Sequence, residues 1–166
     1  MIEHPSCDGW YVEDYRSKLN VIRTNENRTA LSSILFMHRG GGPLRWRIVK
    51  SDEQLIWLHG SRLNVHILDA AQRSYHVTVL GQQAISDSSM RFQCSIPAFC
   101  PFATEVEDGE DGYTLTSCVV APAWTPDDFE HIQLETLINN YPELAEKLTH
   151  KSKKLRAQES FSVCNA

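Results

Sequence analysis

Short apolar or alternating segments, each bounded by turn residues, recur from residue 30 to residue 120 and predict β-strands. The alternation is clearest around the acidic pair at 52–53, where two strands joined by a polar turn are predicted. The apolar side chains that carry it are Leu44, Trp46, Ile48, Leu55 and Trp57. The other predicted strands span residues 30–37, 63–68, 75–80, 91–96, 102–106 and 113–120. Many short strands separated by regular turns favour a β-sandwich or barrel, while the polar residues at 18–29 are expected to form a loop.

The period of the apolar positions changes after Thr125. Residues 125–128 combine a proline in the first turn with carboxylates, which favour a helix N-terminus. Apolar residues then recur at helical spacing, at Phe129, Ile132, Leu134, Leu137 and Ile138. A second helix is predicted to begin near Pro142. We therefore expect a strand-rich domain with an N-terminal arm at residues 1–126 and a helical extension with a frayed tail at 127–166.

Several short motifs occur in an order that carries a family resemblance. They are His4-Pro5, Gly9-Trp10-Tyr11, Glu13-Asp14-Tyr15-Arg16-Ser17, Asp52-Glu53, Leu63 to Asp69, Val79-Leu80-Gly81, Gln93, Pro97, Val119 to Pro122 and Phe129. With these motifs the chain resembles the small type 5 cupins, long a domain of unknown function. The resemblance implies an all-β fold with C-terminal helices, namely the double-stranded β-helix or jelly-roll barrel. It also implies a homodimer, and an N-terminal arm that contributes to the walls of a pocket.

The metal-binding motifs of the cupins are degenerate in this chain. By the resemblance, Trp46 and Ile48 stand at the two histidine positions of the first motif, Phe102 stands at the histidine of the second, and only Glu53 is retained. Indole, aliphatic and phenyl side chains offer no lone pair to a metal. One carboxylate does not make a useful site for iron, manganese or zinc. We therefore expect neither a metal nor another cofactor, and no dioxygenase chemistry.

Composition and charge narrow the possible partners. The chain has 166 residues, a net charge of −5 and a sequence pI of about 5.8. An acidic chain without a basic stripe has no electrostatic footprint for nucleic acid. No apolar segment is long enough to span a membrane, and the N-terminus has no signal-peptide pattern, so a cytoplasmic protein is expected. The five cysteines include no close pair, and Cys94 and Cys118 are expected to be buried thiols.

The residues expected to line the barrel interior follow from strand parity and from the motif positions. The candidate substrate-binding residues are Trp46, Ile48, Leu55, Trp57, Gln93 and Phe102. Glu53, the first catalytic candidate, would be a desolvated carboxylate surrounded by these residues, and its raised pKa suits a general acid or base. The alternative is that Glu53 pairs with Arg45 or Arg47 and only holds its strand.

His66 and Tyr113 are the further catalytic candidates, because either could complete a proton transfer begun by Glu53. A structural, hydrogen-bonded histidine and a packed tyrosine are the alternatives for these two residues. Gln93 could orient a carbonyl or make cross-strand hydrogen bonds. His59 and His76 are expected at the surface.

Three functions are compatible with this pattern. The first is a metal-independent isomerase, epimerase or cyclase that acts by acid–base catalysis on a hydrophobic carbonyl compound, for example in natural-product biosynthesis. The second is a non-catalytic small-molecule binder. The third is a structural dimer whose pocket is filled by its own side chains.

Overall fold

The structure is a computed structural model that describes residues 1–4, 7, 9–42, 44–82, 87–107 and 112–149. The strands are β1 (Ile2–Glu3), β2 (Gly9–Arg16), β3 (Asn20–Arg23), β4 (Glu26–Thr29), β5 (Ser32–Arg39), β6 (Trp46–Val49), β7 (Asp52–Gly60), β8 (Leu63–Asp69), β9 (Ser74–Leu80), β10 (Met90–Arg91), β11 (Gln93–Ile96), β12 (Phe102–Val106), β13 (Tyr113–Ala121) and β14 (Phe129–Ile132). Helix α1 spans Leu134–Asn140, with 3₁₀ turns at Pro126–Asp128 and Pro142–Leu144 and a helical segment at 145–149. Among the residues described, none of the helices has both the length and the apolar character that crossing a bilayer requires.

The strands form two six-stranded sheets that face each other as a jelly-roll barrel. The first sheet has the order β1-β2-β5-β13-β7-β11, the second has the order β10-β9-β8-β12-β6-β14, and β3-β4 is a separate hairpin. Neighbouring strands are antiparallel except β9 and β10. The predicted all-β jelly-roll fold with C-terminal helices is therefore confirmed.

Two predictions of local structure are wrong. Residues 129–132 form strand β14 rather than a helix, because they pair with β6 from Phe129 opposite Val49 to Ile132 opposite Trp46. The spacing of the apolar residues fits a helix, but it does not show that the edge of β6 is available to pair with their backbone. Residues 18–29, expected as a loop, contain the β3-β4 hairpin. The predicted frayed tail lies largely outside the described residues.

The apolar interior is divided into two clusters. The main cluster fills the space between the sheets and includes Leu55, Leu63 and Phe102, each fully buried. The second cluster lies on the outer side of the second sheet, where Trp46 and Leu68 pack against residues of the C-terminal helices. Burial of this outer face explains why the helices attach there.

A glycine fixes the close approach of β2 to β5. Gly9 lies opposite His38 and has a φ of 152°. A Cβ at this position would lie 2.3 Å from the carbonyl oxygen of Met37. Only glycine therefore fits where the arm enters the first sheet.

Candidate functional site

A cavity of about 150 Å³ lies inside the barrel, next to the N-terminal arm. Strands β5, β7 and β13 of the first sheet contribute Phe36, Glu53 and Cys118 to its wall. Strands β6 and β14 of the second sheet contribute Arg47 and Phe129. The cavity is thus mainly apolar and aromatic, with a few ionisable groups, as is usual for small-molecule sites.

Glu53 places its carboxylate on this cavity. It lies on β7 between Val120 of β13 and Ile96 of β11. Side chains alternate between the two faces of β7, and that of Glu53 is on the face that lines the cavity. Within the described chain, Glu53 makes no hydrogen bond or ion pair. Burial raises its pKa, and the positive charge of Arg47 opposes that rise. A carboxyl group with a raised pKa is better suited to act as a general acid or base than an ordinary surface glutamate.

Arg47 is the positive charge that faces the other ionisable groups of the cavity. Its Nη1 and Nη2 atoms lie 3.5 and 3.4 Å from Oγ1 of Thr104, which makes both hydrogen bonds long. Its guanidinium carbon lies 4.2 Å from the centroid of the Phe102 ring, a cation–π contact. The contacts with Phe102 and Thr104 therefore hold the Arg47 side chain in place.

His38 is a neutral, hydrogen-bonded member of the cavity wall. It is 4% exposed, its Nε2 lies 3.0 Å from Oγ1 of Thr116, and its Nδ1 lies 3.4 Å from Oγ1 of Thr104. Burial, reinforced by Arg47, lowers its pKa to about 3. Since both ring nitrogens are engaged and the ring is neutral, His38 positions its neighbours and is a poor proton carrier at neutral pH.

Aromatic rings surround His4 at the side of the cavity formed by the arm. The His4 ring centroid lies 5.0 Å from that of Tyr11, 5.7 Å from Phe36, 6.2 Å from Trp124 and 6.4 Å from Phe129. Burial lowers the pKa of His4, and the charge of Arg47 lowers it further. This wall offers ring edges and faces to a flat or apolar ligand.

An ion pair on β2 completes the lining. Arg16 Nη2 donates to a carboxylate oxygen of Glu13 at 2.7 Å, and the guanidinium also reaches the carbonyl oxygen of Trp124 at 3.4 Å. Both side chains of the pair are more than a third exposed, so they mark the solvent side of the cavity. An exposed pair of this kind contributes little to stability.

Two predicted substrate-binding residues lie away from the cavity. Trp46 is buried in the outer cluster with the helices, and Ile48 faces the groove beside α1. Their neighbours Arg47 and Val49 line the cavity instead. The expectation that Trp46 and Ile48 point inward is wrong because strand β6 has the opposite parity to the one taken from the motif positions.

Four further predicted residues contribute indirectly or not at all. Leu55 and Phe102 are fully buried in the main cluster and support the cavity without lining it. Trp57 packs against the same cluster and donates its Nε1–H to the carbonyl oxygen of Ser61 at 3.0 Å. Gln93 is exposed on β11 opposite Ile56, so its predicted place in the pocket is wrong.

The structure separates His66 and Tyr113 from Glu53. His66 is fully buried, with Nδ1 2.7 Å from the Tyr75 hydroxyl and Nε2 3.2 Å from a carboxylate oxygen of Glu105. This is the structural alternative for His66. Tyr113 is the first residue of β13 and is 43% exposed, with its hydroxyl 2.9 Å from Nδ1 of His59. Neither side chain lines the cavity, so their predicted partnership with Glu53 is wrong.

Other predictions about single residues hold. Cys94 and Cys118 are buried thiols, and burial raises the pKa of both. His59 and His76 are exposed. Arg47, named as a possible partner of Glu53, does act on it electrostatically, although no ion pair within 4 Å joins them in the described chain.

Sequence reasoning missed most of the lining. Arg47 and His38 are brought to Glu53 from β6 and β5, and the aromatic wall of Tyr11 and Trp124 comes from β2 and from the chain after β13. Strand parity on β6 places Arg47 and Trp46 on opposite faces, but it does not say which face lines the cavity. The others depend on long-range pairing that a single sequence does not reveal.

The donor set of the cavity does not fit the metal that cupin barrels commonly hold. In the described chain no group of three or more His, Cys, Asp and Glu side chains is placed to hold a metal ion. In the cavity wall, the ring nitrogens of His38 are both engaged by threonine hydroxyls, and Glu53 experiences the positive charge of Arg47. A fixed positive charge that acts on Glu53 disfavours a divalent cation there.

Comparisons with known proteins agree with the fold. The family described as Cupin superfamily (DUF985) matches residues 1–132. A hypothetical protein from Leishmania major is 26% identical, with 90% of this chain and 91% of that chain covered and a TM-score of 0.76. A protein from Shewanella oneidensis is 27% identical, with 85% and 84% covered and a TM-score of 0.70. No curated protein is significantly similar to the chain.

Proposed function

We propose that the chain, which belongs to the DUF985 family of the cupin superfamily, is a metal-independent isomerase. It would act by acid–base catalysis on a small, largely apolar carbonyl compound. The observation that carries the proposal is the carboxylate of Glu53. It faces an aromatic cavity, has a raised pKa, and has no hydrogen-bond or ion-pair partner in the described chain. A half-buried carboxylate in an apolar cavity is costly unless it is paired or used, and this one is available to a ligand.

The arrangement suggests how a proton would move. A substrate carbonyl oxygen directed at Arg47 would be polarised by the guanidinium, which lowers the cost of the enolate that forms next to it. Ionised Glu53 would take the proton from the carbon beside the carbonyl and return it at the oxygen or at a neighbouring carbon. Every atom of the substrate is retained, so the reaction is an isomerisation. The rings of Phe36 and Phe129 would keep water from the enolate.

The size of the cavity limits the substrate. A volume of about 150 Å³ is comparable with engineered cavities that hold benzene. We therefore infer a compound with one ring or a short chain as the enclosed part. A polycyclic substrate of a natural-product cyclase would have to extend past Glu13 and Arg16 into solvent.

A non-catalytic binding protein is the second candidate, and one observation favours it. Burial favours the neutral form of three other titratable side chains in the cavity wall, namely His38, His4 and Cys118. Glu53 would have to carry out both proton transfers alone. The third possibility, a pocket filled by its own side chains, conflicts with the cavity itself.

Hydrogen–deuterium exchange separates the enzyme from the binder. The protein is incubated in D₂O with cyclohexanone, butanone or acetophenone, and loss of the hydrogens next to the carbonyl is followed by proton NMR. We expect catalysed exchange that falls by about 10²–10⁴-fold in Glu53→Gln, the usual contribution of a general acid–base group. Glu146→Gln, which removes an exposed carboxylate from the C-terminal helix, is the matched control. Ketone binding without exchange, or exchange that survives Glu53→Gln, contradicts the proposal.

We further propose a cytoplasmic homodimer. Cys94, Cys100 and Cys118 are free thiols, as is usual in a reducing compartment. The outer face of the first sheet carries an apolar stripe formed by Trp10, Val12, Leu35, Met37 and Leu115, which a second copy of the chain could cover. Neither property is needed for the chemistry of the cavity.

A further inference from the structure

Arg47 is a cation whose charge is not matched by an ion pair in the described chain. Its hydrogen bonds go to the Thr104 hydroxyl at 3.4 and 3.5 Å, and its flat face lies on Phe102. Among the described residues, no carboxylate lies within 4 Å of its guanidinium. A half-buried guanidinium without a counter-anion is partly desolvated, so a ligand that supplies an anion gains more there than at a fully exposed arginine.

The groups around Arg47 leave the cavity positive whenever Glu53 is protonated. His38 and His4, which also feel the charge of Arg47, are neutral at physiological pH because burial lowers the pKa of each. The other ionisable or charged side chains that face Glu53 or its neighbours are Cys7 and Cys118, Tyr11, and the Glu13–Arg16 pair on the solvent side. Since Glu13 and Arg16 neutralise each other, Arg47 and Glu53 decide the charge of the interior.

The shape of the site selects among anions. A guanidinium presents a planar fork of donors that matches the two oxygens of a carboxylate. The walls above it are the rings of Phe36, Phe129 and Tyr11, and the volume is about 150 Å³. A tetrahedral, multiply charged anion would leave oxygens against these rings without donors, whereas a carboxylate on a ring or short chain satisfies both ends.

We propose that the ligand of this cavity is a small carboxylate with an apolar body, whose two oxygens bind Arg47 and whose body packs between the aromatic rings. The inference deepens the proposed function, because it assigns the substrate of the same cavity to the small oxo acids and their enols. The carboxylate would occupy the fork of Arg47, and a remaining N–H of the guanidinium would polarise the carbonyl or enol oxygen. Glu53 lies beside the bound carboxylate and binds it best in its protonated form, so with these substrates it first donates a proton to the carbon of a bound enol and then takes up the proton of the enol hydroxyl. Binding therefore takes up a proton in the pH range where Glu53 titrates.

Calorimetry with two isosteric probes tests the assignment. Benzoate and benzamide are titrated into the wild-type protein, and we expect benzoate to bind at least about tenfold tighter, the effect of one good charge-assisted contact. Arg47→Met keeps the length of the side chain without its charge and should remove the preference. Arg39→Gln, which removes an exposed arginine at the end of β5, should leave it unchanged.

A second measurement needs no variant of Arg47 and keeps the test valid if Arg47→Met fails to fold. Benzoate is titrated in HEPES and in Tris buffer, which differ in heat of ionisation, and the difference in heat gives the number of protons taken up. We expect a fraction of a proton in the wild type and none in Glu53→Gln. Inorganic phosphate, used as a third probe, should bind more weakly than benzoate.

The inference is overturned by benzamide binding as tightly as benzoate, by a preference that survives in folded Arg47→Met, by phosphate binding as tightly as benzoate, or by neither aromatic probe binding. The exchange experiment distinguishes this failure from failure of the proposed function. Exchange of a neutral ketone without benzoate binding rejects the carboxylate and leaves the isomerase standing. Arg47-dependent benzoate binding, together with no exchange of butanone or of 2-oxobutanoate, rejects the isomerase and leaves the carboxylate site.

Discussion

At the scale of single residues, Asp128 is the most extensively bonded carboxylate of the described chain. It is 2% exposed, accepts from Arg23 Nη2 at 3.0 Å and from Thr125 Oγ1 at 3.0 Å, and forms an ion pair with Arg28. Burial on its own raises the pKa of Asp128, but the hydrogen bonds from these partners outweigh it and lower the pKa to about 2. The cluster fastens the β3-β4 hairpin to the start of β14.

Replacing Asp128 should therefore destabilise the protein and change its acid sensitivity. We expect Asp128→Asn to lower the free energy of unfolding by about 3–5 kcal/mol, because Asp128 is buried and two half-buried arginines lose their counter-ion. The ordinary pKa is 3.8 and the folded value is about 2. The contribution of Asp128 is thus complete above the ordinary value and is lost as pH falls through the folded value. Urea unfolding between pH 7 and pH 2 measures both effects, and exposed Asp127→Asn is the control.

Strand alternation predicted some residues of the site and misplaced others. Glu53 and the buried Leu55 follow the parity of β7, so their inward direction could be read from the sequence. Trp46 and Arg47 could not be assigned in this way, because a tryptophan on the outer face of β6 has helices to bury it. Parity gives two possible faces, and what covers each face is decided by distant parts of the chain.

At the scale of elements, the C-terminal helices complete the fold by covering the second sheet. Leu137 and Leu148 are each 1% exposed, and they share a cluster with Trp46, Leu68 and Ala103. The helical period predicted α1 and its apolar face. It overextended the helix into β14, because Phe129 and Ile132 fit a helical stripe as well as a strand edge.

Truncating the helix anchor should affect stability and not the cavity. We expect Leu137→Ala to cost about 2–5 kcal/mol of unfolding free energy, the usual range for a buried leucine. Ligand binding in the barrel should be unchanged, because Leu137 packs on the opposite side of the second sheet. Thermal unfolding and benzoate titration test the two parts, with exposed Glu135→Ala as the control. Loss of benzoate binding in a folded Leu137→Ala protein would show that the helices shape the site.

At the scale of the whole molecule, the outer face of the first sheet is apolar across several strands. Trp10, Met37 and Leu115 lie side by side on β2, β5 and β13, and Val12 lies beside Leu35 in the next row. Exposed hydrophobic side chains flank these rows, namely Leu58 and Tyr113, each 43% exposed. Contiguous apolar surface of this kind marks association sites. The family resemblance predicted a homodimer, which stays a prediction. Proposing this stripe as the interface required the register of the strands.

A charge placed within this stripe should separate the proposed dimer. We expect the wild type to be a dimer and Leu35→Glu a folded monomer by size-exclusion chromatography with light scattering, because an unpaired carboxylate would be buried between the copies. Leu19→Glu, at a residue that is 74% exposed elsewhere, should remain dimeric. A wild-type protein that stays monomeric at micromolar concentration would contradict the proposal.

The jelly-roll fold could be predicted at this scale because short strands at regular intervals and ordered family motifs agree with each other. The cavity could not, since it is formed by side chains from both sheets and the arm. His4, Tyr11 and Glu53 are far apart in sequence and meet only through the pairing of β2, β5, β13 and β7.

The most direct test of the account is an NMR titration of the Glu53 side-chain carboxyl, assigned by comparison with Glu53→Gln. The account predicts a pKa above the ordinary 4.5, because burial dominates. It also predicts that Arg47→Met raises the pKa further, since Arg47 opposes the effect of burial. A Glu53 that titrates at or below 4.5, or whose pKa is unchanged in folded Arg47→Met, would contradict the claim that these two residues form the acid–base centre of the cavity.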